Sequence, residues 1–88
     1  MACRVHVPSP LRDYTHGAAT VRADGATLAE VLGDLDRRFP GMRFRMLDEQ
    51  QRIRPHIRMF IASSEARSLD ERVGPGDTVH LICALSGG

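Results

Sequence analysis

The residues whose types and order best suit a chemical role are the last five, Ala84-Leu85-Ser86-Gly87-Gly88. The four residues after Ala84 would reach about 13 Å beyond a folded domain, because an extended residue spans at most ~3.6 Å. Gly87 and Gly88 lack Cβ atoms and adopt backbone angles that other residues avoid. Such a tail is suited to thread a narrow channel and deliver its carboxylate to the active site of another protein.

The chemistry open to this carboxylate begins with activation, because a carboxylate is a poor electrophile. Adenylation with ATP would supply a leaving group. A sulfur nucleophile that attacks the acyl-adenylate would then leave sulfur on the last carbonyl. Small residues are also common at frayed chain ends, so the tail alone leaves a functional role and a frayed terminus equally open.

The other nucleophilic and metal-binding side chains are scattered along the chain. Cys3 and His6 lie an odd number of residues apart on one predicted strand, so they point to opposite faces, and the same argument separates His80 from Cys83. A structural zinc site needs four converging ligands. Ser63-Ser64 has no evident His and acid partners, which favours a turn over a nucleophile. We therefore expect no metal, no bound cofactor and no autonomous enzyme.

The overall composition narrows the class of protein. The chain has 88 residues, which is enough for one small domain, and a formal net charge of +1 with basic and acidic residues interspersed. Such a balance argues against a nucleic-acid partner. No apolar run approaches the ~20 residues of a membrane span, no signal peptide is evident, and two cysteines are too few for a disulfide framework. We expect a soluble cytoplasmic protein with reduced thiols and no membrane partner.

All 12 basic residues are arginine. A phosphate-binding loop of the G-x-x-x-x-G-K type needs a lysine, so that motif is excluded. Because the sequence contains no lysine, copies of this protein cannot be linked to one another through lysine.

The pattern of apolar residues predicts one α+β domain in the order strand, strand, helix, strand, short strand, strand. The predicted strands cover residues 3–7, 19–23, 57–62, 66–69 and 78–84. We expect the first two strands to form a hairpin, with Leu11 and Tyr14 of their connection against the core. Gly74-Pro75-Gly76-Asp77 is a tight turn, and Ser63-Ser64-Glu65 is predicted to turn the chain after the third strand. Residues 42–54 fit either a short helix or a charged loop.

The helix has the strongest local signals. Thr27 and Glu30 form a T-x-x-E capping box, which satisfies backbone N–H groups at a helix start. The apolar side chains that follow recur at helical spacing and predict one buried stripe: Leu28, Val31, Leu32, Leu35 and Phe39. Pro40-Gly41 ends the helix. A helix with one apolar stripe needs a sheet to lie on.

The element order, the Gly76-Asp77-Thr78-Val79 turn into the last strand, and the Ala84-Leu85-Ser86-Gly87-Gly88 ending together resemble the MoaD/ThiS family of sulfur carriers. The resemblance covers nearly the whole chain. It implies a ubiquitin-like β-grasp fold, with a mixed sheet packed on one main helix in residues 1–84 and a flexible tail in residues 85–88. The parallel pairing of first and last strands in that fold would keep Cys3 and Cys83 apart and unbonded.

The resemblance also implies a function. An E1-like adenylyltransferase of the MoeB/ThiF type would activate Gly88 with ATP, a sulfur donor would convert it to a thiocarboxylate, and a downstream synthase would consume the sulfur. Gly87 and Gly88 match the diglycine of the family, and Leu85 and Ser86 match the stem that enters the partner's channel. The protein would then be a carrier, or the small subunit of a synthase such as molybdopterin synthase, and not an enzyme.

The resemblance leaves partner contacts and one turn open. Phe60 and Ile61 lie in a region that could contribute to the surface that binds the activating enzyme, and we assign them no role. Many relatives carry an asparagine after the strand that corresponds to residues 57–61, where this chain has Ala62-Ser63. This departure leaves the conformation of the turn open.

Two other functions share these sequence features: a ubiquitin-like modifier conjugated through Gly88, and a β-grasp interaction domain whose diglycine is incidental. Within the carrier function, the chain length and the segment Arg54-Pro55-His56-Ile57-Arg58 favour a molybdopterin-type or cysteine-type pathway over a thiamine-type one. The downstream partner would accordingly be a molybdopterin-synthase large subunit or a cysteine-synthase-like enzyme.

Overall fold

The computed structural model describes residues 2–83, and residues 1 and 84–88 lie outside the described part. The described part contains a five-stranded sheet. Its strands are β1 (Ala2–His6), β2 (Thr20–Asp24), β3 (Ile57–Ile61), β4 (Ser64–Ala66) and β5 (Thr78–Cys83), and its α-helices are α1 (Leu28–Arg38) and α2 (Met42–Met46). The predicted element order is confirmed. The division at residue 84 stays a prediction, because it lies outside the described residues.

The sheet has the strand order β2-β1-β5-β3-β4. The two central strands, β1 and β5, run parallel, and Val5 lies opposite Val79. The other neighbours are antiparallel, with β2 on β1, β3 on β5 and β4 on β3. The first and last strands of the chain therefore meet inside a mixed sheet, as the family resemblance implies.

One face of the sheet packs against α1. Alternate residues of each strand are buried, as the period of a half-covered strand requires, and the four predicted apolar positions of α1 meet them. The central side chains are Val5, Val79, Leu81, Met59, Leu28, Val31, Leu32 and Leu35. Burial of one such side chain contributes about 1.5–3 kcal/mol, so this layer supplies most of the stability. Leu11 is buried and Tyr14 packs against the same cluster, as expected.

The start of α1 has the predicted cap with one difference. The Thr27 hydroxyl accepts a hydrogen bond from the Glu30 backbone N–H at 3.3 Å. The Glu30 carboxylate reaches back one residue further than in a standard capping box and accepts from the Ala26 N–H at 2.8 Å. Both contacts satisfy N–H groups that lie at or just before the start of the helix, a stabilisation of about 1 kcal/mol for a cap.

Asp34 joins the outer side of α1 to the end of β2. Its carboxylate accepts from the Asp24 backbone N–H at 2.8 Å and from Arg38 Nε at 2.7 Å, and Arg37 donates to its other oxygen. The hydrogen bond from the Asp24 N–H, followed by that from Arg38, holds the pKa of Asp34 well below its usual range. The side chain is only 12% exposed, so solvent screens these contacts incompletely.

Residues 42–54, which the sequence left between helix and loop, contain both. Met42–Met46 is the short helix α2, and Leu47 pairs with Ile53 across a turn. Met42 and Met46 lie one turn apart on the helix and are both buried, whereas Phe44 lies on the opposite side and is exposed.

The turn between β3 and β4 is tighter than predicted. Ile61 pairs with Ser64, so Ala62 and Ser63 alone form the connection and the return strand is Ser64–Ala66 instead of residues 66–69. Ala62 has a left-handed φ of 55° and donates its N–H to the Thr78 carbonyl at 2.8 Å. The prediction that Ser63-Ser64-Glu65 turns the chain was wrong, because the reversal uses an unusual backbone angle at an alanine.

We expect Ala62→Gly to stabilise the protein by about 0.5–1 kcal/mol. A left-handed angle costs an alanine ~1–2 kcal/mol and a glycine nothing, and the larger entropy of glycine in the unfolded chain offsets part of the gain. Urea unfolding measures the difference. The matched control is Ala29→Gly, on the exposed side of α1, which is expected to destabilise by ~1 kcal/mol. Destabilisation by both variants would contradict the strain at Ala62.

We expect Asp34→Asn to destabilise the protein by about 1 kcal/mol at pH 7, because it removes a charged hydrogen-bond acceptor. The pKa of Asp34 is lower in the folded protein than in the unfolded chain, where it is about 3.9. The contribution of Asp34 is therefore complete above roughly pH 4 and is lost as the pH falls below that value. Urea unfolding at pH 7 and near pH 2.5 should show the two proteins converging in acid. Asp70→Asn, on an exposed loop, is the control and should show no such convergence.

Candidate functional site

The element that leads to the predicted site is β5. It is paired on both sides, parallel to β1 and antiparallel to β3, and Val79 and Leu81 point into the core. The pairing with β1 covers residues 78–80, and the pairing with β3 continues to Cys83, which lies opposite Ile57. β5 therefore holds Cys83, the last described residue, in a defined position just before the predicted tail.

The turn before β5 fixes where this strand begins. The Asp77 carboxylate accepts from the Gly74 N–H at 2.8 Å, and the Asp77 N–H donates to the Gly74 carbonyl at 3.0 Å. Gly76 has a φ of 85°, a conformation that favours glycine. The predicted Gly74-Pro75-Gly76-Asp77 turn is confirmed, and its glycine and aspartate each have a physical role.

The site residues predicted from the sequence, Leu85, Ser86, Gly87 and Gly88, lie outside the described residues, so their roles stay a prediction. Within residues 2–83 no group of three or more His, Cys, Asp or Glu side chains is arranged to hold a metal. In the same part of the chain, no helix is both long and apolar enough to cross a membrane.

Neither cysteine is placed to act as a nucleophile. Both are free, and they lie toward opposite ends of the central strand pair, in line with the sequence-based expectation. Cys3 is 5% exposed, and burial, followed by the negative charge of Asp24, raises the pKa of its thiol. Burial also raises the pKa of the half-buried Cys83 thiol. A raised pKa leaves little reactive thiolate at neutral pH.

The outer face of the sheet, away from α1, carries an aromatic row across the three middle strands. His6 lies opposite His80, which lies opposite Phe60. The two imidazole rings lie side by side with centroids 4.8 Å apart and planes tilted by 33°, and the Arg58 guanidinium lies 5.7 Å from the centre of the Phe60 ring. Ile82, the next residue after His80 on the same face of β5, is 43% exposed. We call His6, Phe60, His80 and Ile82 the outer-face row.

This row was not predicted from the sequence. The strand patterns place each histidine on its own strand, and only the register of the parallel pair brings His6 and His80 together. The signal available in advance was the parity of positions on the predicted strands, which puts His6 and His80 on the outer faces of two strands expected to be neighbours. Phe60 lies in this row and Ile61 does not, since Ile61 is buried on the inner face.

Known proteins resemble this chain over its whole length. The sequence matches the family described as ThiS over residues 5–88. Proteins named sulfur carrier protein CysO, from Mycobacterium bovis and Mycobacterium tuberculosis, are 29% identical over 93 residues, which covers 100% of this chain and 100% of theirs.

The structural comparison agrees. The fold is similar to that in the crystal structure of the Amycolatopsis orientalis BexX/CysO complex, with a TM-score of 0.92, 30% identity and coverage of 98% of this chain and 99% of that one. For Mycobacterium tuberculosis CysO the TM-score is 0.90 at 26% identity, over 94% and 99% of the two chains. For SAMP1 from Haloferax volcanii it is 0.84 at 25% identity, over 100% of each. The predicted β-grasp fold is confirmed.

We expect both thiols to react slowly with Ellman's reagent at pH 7, with reactivity rising through a midpoint above the ordinary thiol pKa of about 8.5. Cys83 should react faster than Cys3, because Cys83 is half-buried and Cys3 is buried. The single variants Cys3→Ala and Cys83→Ala assign the two phases, and the urea-unfolded chain gives the unprotected rate. A fast reaction of either folded thiol at pH 7 would contradict the raised pKa values.

Proposed function

The chain belongs to the ThiS family, which it matches over residues 5–88, and from this premise we propose that it is a sulfur carrier that works through a thiocarboxylate on Gly88. The observation that supports the proposal most directly is the course of β5. β5, paired with β1 over residues 78–80 and with β3 as far as Cys83, follows the Gly74–Asp77 turn, and the family match continues through the diglycine. The protein supplies a positioned carboxylate, and its partners supply the catalysis.

The proposed reaction has two steps. A carboxylate oxygen of Gly88 attacks the α-phosphorus of ATP in the active site of an E1-like adenylyltransferase, and pyrophosphate leaves. With hydrosulfide as the sulfur donor, its sulfur attacks the acyl carbonyl, the carbon–oxygen bond to AMP breaks, AMP leaves, and loss of the proton on sulfur gives the Gly88 thiocarboxylate. ATP is a substrate of the partner in this scheme, and no cofactor is bound to the carrier.

The outer-face row is the surface we assign to first contact with the activating enzyme. Ile82 lies directly before Cys83 and its side chain is partly exposed, so a partner that receives the tail meets this face of the sheet. Phe60 and the neighbouring His6 and His80 rings extend the apolar and aromatic surface across three strands. Aromatic residues at the centre of a surface of this kind are frequent binding hot spots.

The pathway that we propose to receive the sulfur is of the cysteine type, in the cytoplasm. The curated relatives are named CysO, and the 30% identical solved structure is a BexX/CysO complex. The downstream partner would then be a cysteine-synthase-like enzyme. A molybdopterin-synthase role stays a weaker proposal, since the structure described as a molybdopterin converting factor is only 16% identical and supports the fold alone.

A ubiquitin-like modifier is the second candidate. It is favoured by the likeness to SAMP1 from Haloferax volcanii, at 25% identity, a protein whose full name is small archaeal modifier protein 1. Conjugation would use the same acyl-adenylate and would attach Gly88 to a lysine of another protein. A lysine-linked adduct in place of a thiocarboxylate would favour this function.

We expect incubation with an E1-like activating enzyme, ATP and sulfide to increase the intact mass of the chain by the difference between one sulfur and one oxygen atom. A variant truncated after Ser86 should gain nothing, because it lacks the diglycine. The double variant Cys3→Ala, Cys83→Ala should gain the same mass as the natural sequence, since the sulfur is carried on Gly88. Failure of the natural sequence to gain mass, or loss of the gain in the cysteine variant, would contradict the proposal.

A further inference from the structure

A second exposed aromatic lies beside the exit of β5, on the other side of the sheet from the outer-face row. Phe44 of α2 is 67% exposed, more than any other large hydrophobic side chain in residues 2–83. It is exposed because Met42 and Met46 take the buried side of this short helix. Arg45 and Arg54 are close to it, and we call Phe44, Arg45 and Arg54 the Phe44 cluster.

The two arginines of the cluster are held by uncharged groups. Arg54 donates from Nε to the Phe44 carbonyl at 2.9 Å, and the Arg45 guanidinium lies 5.9 Å from the centre of the Tyr14 ring. Within residues 2–83, the ion-paired arginines are elsewhere: Arg37, Arg38, Arg52, Arg58 and Arg67. The Phe44 cluster therefore keeps its positive charge available to a partner.

The cluster lines a groove that starts at the last described residue. The groove has a volume of about 380 Å³, and Leu11, Phe44, Arg45, Arg54 and Cys83 are among its lining residues. On the far side of Phe44, a separate depression is lined by three carboxylates, Asp36, Asp48 and Glu49, and one arginine, Arg43, so its net charge is negative. The positive charge is thus concentrated on the side of Phe44 that faces the end of β5.

The length of the tail decides which surfaces a partner must touch. The five residues after Cys83 span at most about 18 Å. An enzyme whose active site lies at the end of a channel must therefore bring the mouth of that channel close to Cys83. The surfaces of this protein that lie next to the mouth of the channel are then the outer-face row on one side of the sheet and the Phe44 cluster on the other.

We propose that the Phe44 cluster is a second docking surface for the activating enzyme, which would meet it with an acidic rim around a small apolar pocket at the mouth of its channel. This inference rests on the proposed function and specifies the partner surface. Phe44 fills the pocket, and Arg45 and Arg54 pair with carboxylates on the rim. A second copy of this chain is a poor occupant of the same surface, because it would place arginine against arginine. Opposite charge at this position also speeds association and orients the encounter.

The test measures the kinetics of thiocarboxylate formation by intact mass, with the activating enzyme, ATP and sulfide. We expect Phe44→Ser and Arg45→Glu each to raise the KM for the carrier about tenfold or more, the effect of losing one hot-spot contact, with kcat within about twofold because the tail is unchanged. Arg45→Lys keeps the charge and should restore most of the affinity. Arg72→Glu is the matched control, because the Arg72 side chain is exposed and its backbone forms a β-bridge with Thr27 in the segment before β5. The KM of this variant should equal that of the natural sequence.

A salt series separates charge from local damage. Raising the salt from about 50 to 500 mM should increase the KM of the natural sequence and have little effect on Arg45→Glu, because salt screens the pairing that this variant lacks. Circular dichroism and urea unfolding establish that the variants fold. KM values unchanged in Phe44→Ser and Arg45→Glu, or raised equally in Arg72→Glu, would overturn the proposal while the sulfur-carrier function stands. If the natural sequence forms no thiocarboxylate at all, the proposed function is wrong and this inference is wrong with it.

Discussion

The pairing of β1 with β5 is the interaction on which the rest of the structure depends. These strands come from opposite ends of the chain and lie parallel in the centre of the sheet, so everything between them must close around their contact. β1 carries the hairpin to β2, and β5 carries the antiparallel pair with β3. Val5 and Val79, opposite each other in this pair, are fully buried under α1. A parallel pair needs a crossover, and here the crossover contains α1, the helix that covers the sheet.

The same arrangement protects the sheet and orients its functional end. Its edges are β2, whose outward residues are polar, and β4, which has only three residues. Short and charged edge strands discourage pairing with other chains. The first half of β5 is paired with both β1 and β3, and the pairing with β3 continues to Cys83. The start of β5 is therefore fixed from two sides, and its last described residue is fixed by β3.

The sequence predicted the elements whose signals are local. Thr27, Glu30 and the spaced leucines define α1, and Gly76 with Asp77 defines the start of β5, because caps and turns depend on adjacent residues. The β1–β5 pairing came from family resemblance, since periodicity gives a strand its faces and not its neighbours. The turn at Ala62 was missed because the left-handed angle there is imposed by β3, β4 and the contact with Thr78, and an alanine gives no sign of it.

The candidate site likewise has one part that local sequence signals predict and another part that depends on the fold. The diglycine is a local signal and was identified from the sequence, whereas the outer-face row and the Phe44 cluster depend on register and on helix orientation. His6 and His80 are distant in sequence, and their rings are in contact only because their strands are parallel neighbours. Phe44 follows Met42 and precedes Met46 in an apolar stretch, and the short helix alone decides that it is the exposed member.

Charge placement has the same dependence on the fold. A net charge of +1 suggests that positive and negative charges balance across the surface, but the carboxylates form ion pairs with only some of the arginines. Asp34 and Glu65 neutralise arginines on α1 and on the strands, while Arg45 and Arg54 are held by an aromatic ring and a carbonyl. Arg45 and Arg54 therefore keep their charge beside the end of β5. A protein that contributes a carboxylate and leaves the catalysis to partners must be recognised by those partners, and this local charge gives them a feature to recognise that the overall composition conceals.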